Sequence, residues 1–335
     1  MDFELVTGAT VKEIIECRRP EIVDIVRAVY LEHDQGNSIN PKSYFLQFPE
    51  KPDSRIIALP ACLADHKIAG IKWISSFPSN IEANVPRASS VLILNDYATG
   101  YPFACLESSH ISSARTAASA VIAAENIIGA KATGKVLFVG AGVLGRAVAD
   151  FLFAQQWSIT SCEIFDLEER YARALAAHVS RGGIEADVVT DVSAAVGRAD
   201  LIVLTTTAAR PWLVDPDWMR PGQCVLNISL RDLAPEVILA AHNIVDDIDH
   251  CLTASTSPHL AEQAAGHRRF IDGTLADLLQ ERITAKPDKP WIFSPFGLGV
   301  LDLAVGEHVY QEASRLGRAM AIPDFFGAAE RWESP

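Results

Sequence analysis

The hydrophobic pattern of the chain changes period twice. Between residues 9 and 33 apolar positions recur at helical spacing, with a break at Pro20. From about residue 42 to 106 the pattern becomes a series of short β-prone runs, "SYFLQF", "RIIALPA", "IAGIKWISSF", "SSVLILND" and "YPFACLE". Turn signals such as "EKPD" and "YATG" separate them, which predicts an antiparallel sheet or open barrel with helices before it. Residues 107–130, "ESSHISSARTAASAVIAAENIIGA", are rich in alanine and predict a helix whose small side chains allow close packing. From Lys135 onward strands and helices alternate: "KVLFVG", "SITSCEIFD", "EADVVT", "DLIVLTTT", "CVLNISL" and "NIVDD" read as strands, with helices such as "LEERYARALAAHV" between them. This alternation predicts right-handed crossovers and a doubly wound parallel sheet, an α/β class. The stretch "GLGVLDLAVGEHVYQEASRLG" predicts a last helix, which is expected to return the chain to the first domain.

The first strand–helix junction of the alternating part holds Gly140, Gly142 and Gly145 in GxGxxG spacing. The motif is informative here because it follows an apolar β run and opens a helix. The first glycine makes the turn, the second lets the backbone approach a pyrophosphate, and the third lets the helix pack on the strand. The helix start, with Val143 and Leu144, completes the expected phosphate-facing segment, where N-terminal amides attract negative charge. Asp166 ends the next strand, 21 residues after Gly145, near the place of the acid that binds adenosine ribose hydroxyls. A carboxylate there repels a 2′-phosphate, so NAD is the expected cofactor, although Arg170 lies close by. Thr205, Thr206 and Thr207 close the fourth strand of this region; their hydroxyls either face the ribose or reflect β propensity alone.

Composition narrows the class. Hydrophobic residues make up 49% of the 335 residues and charged ones 21%, which describes a well-buried globular protein of about two domains. The formal net charge of −13 argues against binding nucleic acid or an anionic membrane surface through bulk electrostatics. No basic-then-apolar leader and no apolar run of spanning length is readable, so a cytoplasmic protein is expected. Cys17, Cys62, Cys105, Cys162, Cys224 and Cys251 lack metal-knuckle or CxxC spacing and read as small buried hydrophobes, with no structural metal expected.

Three residues stand out as candidate chemistry. Lys72 interrupts "AGIKWISSFP", where one face of a strand must be buried; it either points to solvent or into a cavity that takes an anion. Arg115 sits among small residues in "SSARTAASA", where a guanidinium can reach out and grip a carboxylate, or simply lie solvated. Asp232, in "LNISLRDLAPE", follows an apolar strand at its carboxyl end. It is equally placed to move a proton or to cap the helix that begins "APEVILAA". Lys42, Arg55, Lys72 and Arg87 also concentrate positive charge in or beside the β-rich part of an acidic chain.

Taken in order, the "KW" strand, "TGYPFACLES", "ARTAASA", "FVGAGVLG" and "LN…RD…P" resemble the ornithine cyclodeaminase/mu-crystallin family over nearly the whole chain. The longer stretches "KWISSFPSNI", "PRAS" and "SPFGLG" resemble the branch that oxidises N-(2-amino-2-carboxyethyl)-L-glutamate on the way to 2,3-diaminopropionate in siderophore or antibiotic formation. The resemblance implies a Rossmann domain, residues 116–304, inserted into an α+β substrate and dimerisation domain made of 1–115 and 305–335. It implies a homodimer, with Lys72 and Arg115 holding substrate carboxylate and Asp232 handling the proton, Lys72 being the next candidate for that task. Lys42 is matched loosely to an upstream basic substrate residue, and Arg87, Arg115, Leu298 and Gly299 join the expected cofactor contacts. Ile57 stands where true cyclodeaminases carry an acid, which favours a carboxylate-rich substrate over one with a free side-chain amine. A cyclodeaminase and a non-catalytic NAD(P)H-dependent binder are the alternatives.

Overall fold

The computed structural model describes residues 3–327, and the chain in it divides into two compact units. Unit 1 consists of the residues up to Arg18, Glu32–Ser112 and those from Leu298 onward; unit 2 consists of Arg19–Leu31 and Ser113–Gly297. The sequence-based boundaries at 115/116 and 304/305 therefore fall inside helices, and residues 19–31 go with unit 2. The chain leaves unit 1 in the middle of helix α1 (Gly8–Asp34), at Arg18, whose φ of −121° and ψ of 18° break the helix. Pro20 is the cause, since its ring removes an N–H and crowds the preceding turn.

In unit 1 the strands are β1 (Phe3–Val6), β2 (Ser38–Ile39), β3 (Tyr44–Phe48), β4 (Lys51–Leu63), β5 (Ile68–Ser76), β6 (Ala88–Asp96), β7 (Pro102–Glu107) and β16 (Met320–Ile322). They form one sheet in the order β16-β1-β7-β6-β5-β4-β2, with β3 also paired to β4. Only the β1–β7 pair is parallel. The period-2 pattern decides the faces. Along β6, Ser90, Leu92 and Leu94 are buried, while Val91 between them is exposed. Helix α10 (Gly299–Arg315) packs on β4, β5 and β6 and covers the buried face with Leu303 and its neighbours.

Helix α2 (Ser109–Ile128) leads into unit 2, whose eight strands are all parallel. These are β8 (Ala132–Val139), β9 (Ser158–Phe165), β10 (Glu185–Val188), β11 (Leu201–Leu204), β12 (Cys224–Asn227), β13 (His242–Val245), β14 (Ile271–Thr274) and β15 (Trp291–Ser294). Their order is β10-β9-β8-β11-β12-β15-β13-β14. Helix α3 (Val143–Ala154) follows β8, α4 (Glu169–Arg181) follows β9, α5 (Val192–Arg198) precedes β11, α6 (Pro235–Ala240) lies between β12 and β13, α7 (Ile248–Cys251) and α8 (Ser257–Ala265) lie between β13 and β14, and α9 (Leu275–Leu279) follows β14. Short β14 and β15 were not legible in the sequence. "WIFS" is four buried residues with no alternation, and it pairs between β12 and β13 instead of at the sheet edge. The chain order of strands reverses at β8, between β9 and β11, which is where an open α/β sheet forms a ligand crevice beyond its carboxyl ends. Among the described residues no helix is long and apolar enough to cross a membrane. The cysteines are all free, but Cys17 is exposed and Cys105 half-buried, so the expectation of six buried thiols fails at these two.

Candidate active site

In unit 2 the glycine loop leaves β8 at the point where the strand order reverses. Gly140 has a φ of +93°, and a Cβ there would come within 2.8 Å of the Thr205 backbone. A Cβ on Gly145 would sit 2.5 Å from the Gly140 carbonyl oxygen, so α3 can only start this close to the turn with glycine at that place. Gly142 is different. A Cβ there meets nothing within 4 Å, and the residue caps α3 without offering a side chain to its first amides. Packing within the chain does not require glycine at 142, whereas a pyrophosphate seated on the helix start does. Val143 beside it is 75% exposed and Leu144 half-buried, so the rim of this turn is open. Asp166 stands at the end of β9 as expected. Its Oδ2 accepts the Ala141 N–H at 2.7 Å and its Oδ1 the Glu168 N–H at 2.9 Å, which ties the acid to the glycine loop. Arg170 lies over the Tyr171 ring and pairs with Glu168. The chain thus holds an uncapped helix start, an open glycine and a strand-end acid tied to the glycine loop, side by side at the sheet's crevice.

Strand β11 ends at Leu204, so the three threonines lie beyond it. Thr205 is a fastener: its N–H donates to Val139 O at 2.8 Å and its hydroxyl to Gly140 O at 2.7 Å, joining the two strand ends at the crevice. Thr206 donates to Asp232 Oδ1 at 2.5 Å. Asp232 is 0% exposed, and its Oδ2 has no hydrogen-bond partner. Ser229 and Trp212 also face the carboxyl, though the Trp212 N–H is itself buried without a bonded partner. Burial pushes the Asp232 carboxyl above the usual range, against the smaller opposing effect of these donors. The capping alternative is not what the structure contains: Ala234 occupies the N-cap of α6, and no Asp232 side-chain atom receives a helix amide. A desolvated carboxyl with one unoccupied oxygen at the carboxyl end of a parallel strand is equipped to take up a proton.

Arg115 is buried on α2. Its guanidinium lies against Gly297, whose φ is +102° and whose Cβ, were there one, would fall 2.5 Å from Nη1. The same loop is anchored by Asp246, just past β13, which accepts N–H groups from Asp247, Phe296 and Gly297. Burial raises the Asp246 carboxyl, and these amides together with the Arg115 charge pull it back. Asp246 was not singled out in the sequence; an acid closing an apolar strand in "NIVDD" was its only signal.

In unit 1, Lys72 is 2% exposed, so the solvent-facing reading is excluded. Its Nζ donates to Asp302 Oδ2 at 2.5 Å and to Ser112 Oγ at 3.2 Å. Ser112 precedes Arg115 by one turn of α2. Lys42 is exposed in the segment between β2 and β3 and takes no part in the bonds that hold Lys72. Arg87 is half-buried just before β6, with its Nε buried and without a partner, and burial lowers its pKa. Leu298 and Gly299 begin α10 as buried residues; Gly299 packs near Ala61 Cβ and Leu59 O. Ile57 pairs with Ile74 across β4 and β5. Asp302 escaped the sequence reading, although an acid inside the apolar "GVLDLAVG" carried the same signal as the lysine in "IKWI".

The all-parallel sheet with its glycine loop, the acid tied to that loop and the buried aspartate beyond the strand ends defines a Rossmann-type dinucleotide-binding protein with a second, mostly antiparallel unit. More particularly, the chain belongs to the ornithine cyclodeaminase/mu-crystallin family, whose profile matches residues 5–316. It is 30% identical over 307 residues to N-((2S)-2-amino-2-carboxyethyl)-L-glutamate dehydrogenase of Staphylococcus aureus, which covers 88% of this chain and 90% of that protein. Among solved structures it is similar to Thermococcus litoralis Δ1-pyrroline-2-carboxylate reductase in complex with NADH and L-proline. The TM-score is 0.88 and the identity 21%, covering 96% of this chain and all of that one. It is likewise similar to an archaeal alanine dehydrogenase dimer with bound NAD, with a TM-score of 0.86 and 23% identity over 97% of this chain and 100% of that one.

Proposed function

We propose that this chain is an NAD-dependent oxidoreductase acting on the C–N bond of an amino acid, and that its substrate is N-(2-amino-2-carboxyethyl)-L-glutamate. The observation that carries the reading is the 30% identity to the staphylococcal dehydrogenase over 88% of the chain. Gly140, Gly142, Val143, Leu144, Gly145 and Asp166 would hold NAD, which when bound supplies the acceptor for the hydride of the glutamate α-carbon. Asp232 takes the proton released from the secondary amine as the C=N bond forms. Asp232 then returns that proton to the imine nitrogen and takes one from the water that adds to the carbon; the proton of the new hydroxyl passes to nitrogen as the C–N bond breaks, and 2-oxoglutarate and L-2,3-diaminopropionate are released. Lys72 and Arg115 hold substrate carboxylates, with Lys42 outside this pair.

The products are therefore one 2-oxoglutarate, one diaminopropionate, one NADH and one proton for each substrate, NAD and water consumed. Incubation of the protein with NAD and the substrate, followed by NADH absorbance and mass spectrometry of both products, tests the reading. Net NADH in equal amount with 2-oxoglutarate supports it. Conversion of ornithine or lysine to a cyclic product without net NADH would make the protein a cyclodeaminase, and binding of the nucleotide with turnover of none of these would make it a binder.

A homodimer is part of this proposal. The sheet face opposite α10 carries Tyr44, Ala58, Trp73 and Val91 in one register row, with Tyr44, Trp73 and Val91 exposed. An apolar row of this kind on an open sheet face is suited to a second copy of the chain. Sedimentation equilibrium that returns a monomer refutes the dimer.

A further inference from the structure

The Lys72–Asp302 pair is not explained by stability. Both side chains are essentially without solvent contact, at 2% and 0% exposure. Burying two charges costs several kcal/mol each in general, and an apolar pair of the same volume usually serves a core as well or better. The surroundings are of that apolar kind: the register neighbours of Lys72 are Leu59 on β4 and Leu92 on β6, and Asp302 is flanked by Leu301 and Leu303 in α10. The geometry is also fixed from outside the pair. Gly70 on β5 and Gly306 on α10 leave no room for a Cβ, which would stand 2.9 Å from Leu303 Cδ1 and 2.0 Å from Leu92 Cδ2, so helix and sheet approach closely at both places.

We infer that Asp302 is a positioning residue for the reaction: from α10 it holds the Lys72 ammonium in one place and keeps it protonated in a site shielded from water. This rests on the reading of Lys72 as a substrate-facing group. Groups that face the ammonium include the Asp302 carboxylate from α10, the Ser112 hydroxyl from α2, and the apolar Leu59 and Leu92 from the adjoining strands. The Asp302 carboxylate opposes the desolvation of Lys72, and without its charge the balance moves toward the neutral amine.

The test is kcat/KM against pH for the wild type, Asp302→Asn, Asp302→Glu and Lys72→Met, with a thermal melt of each. Asn keeps the size and an acceptor oxygen but removes the charge. In Asp302→Asn the high-pH limb, where Lys72 loses its proton, moves at least one pH unit toward acid, so activity lost at neutral pH returns in part as the pH is lowered. Its KM rises more than its kcat falls, and Asp302→Glu restores the limb. A folded Asp302→Asn protein with the wild-type limb, or with the same fractional loss at every pH, overturns the inference. Should Asp302→Asn not fold, Asp302→Glu decides: a wild-type limb with raised KM supports the positioning role, and unchanged KM overturns it. Full activity of Lys72→Met is the separate result that removes Lys72 from the proposed mechanism.

Discussion

Asp232→Asn separates chemistry from architecture with a single atom. The aspartate is 0% exposed, Thr206 occupies its Oδ1, and its Oδ2 has no partner. Asn retains the oxygen for the Thr206 hydroxyl and replaces only the unpartnered one. A residue that acts as general acid–base is worth roughly 10²–10⁴ in rate, about 2.7–5.4 kcal/mol of transition-state free energy at 1.36 kcal/mol per decade. Turnover should fall by that factor while NAD affinity stays near the wild-type value. Stability moves the other way. Burial raises the folded-state pKa of Asp232 above that of the unfolded chain. The native state then binds more protons than the unfolded state between the two values, and stability declines as pH rises through that window. Above the window the full cost is present, and Asn removes it. The variant should melt at or above the wild-type temperature at neutral pH, with the difference shrinking toward acid pH, where the wild-type carboxyl is protonated in both states. Single-turnover NADH formation beside thermal melts at two pH values makes the comparison. A folded Asn variant with full single-turnover rate would refute the proton-transfer role.

Four further variants have expected outcomes. Gly142→Ala should leave the melting temperature nearly unchanged, because a Cβ there meets nothing within 4 Å, and should weaken NAD binding measured by fluorescence titration; Gly140→Ala, with φ at +93° and Thr205 in the way, should cost on the order of 1–3 kcal/mol of stability in a denaturant titration. Asp166→Ser should narrow the preference for NAD over NADP in comparative kcat/KM measurements, and a wild-type protein that uses both equally would show that Asp166 does not select the cofactor. Arg115→Ala should raise KM by roughly 10–150-fold, the equivalent of about 1.5–3 kcal/mol for a charge-assisted contact; it should also lower the melting temperature, since Asp246 then loses a compensating charge. Unchanged KM with a lowered melt would leave Arg115 with a structural role alone.

Much of the unit 2 fold was readable in advance because local rules and tertiary structure agree there. The alternation of apolar strand and helix, the glycine spacing after "KVLFV" and the acid after "CEIF" depend on backbone conformation and short-range sequence, so they predict the parallel sheet, the turn and Asp166 without reference to the rest of the chain. Long-range pairing was not readable. Strand β15 enters the sheet between β12 and β13, and no four-residue apolar run states its neighbours. Residues 19–31 join unit 2 while the first half of the same helix stays in unit 1, because Pro20 breaks α1 but does not say what either half packs against.

The same division applies to the polar groups. The sequence by itself marked Lys72, Arg115 and Asp232 as residues out of keeping with their surroundings, and left each with a bland alternative. Only tertiary structure decided among these, because burial and hydrogen bonding are set by segments far away in the chain. Lys72 is buried against Asp302, 230 residues later, and Arg115 rests on a glycine backbone at 297. Asp232 is excluded from the cap of α6 by a helix that starts at Pro235 with Ala234 before it, and it is joined instead to Thr206. A charge in an apolar stretch announces a partner, but the free energy that selects the partner belongs to a three-dimensional environment of low polarity, which chain order alone does not specify.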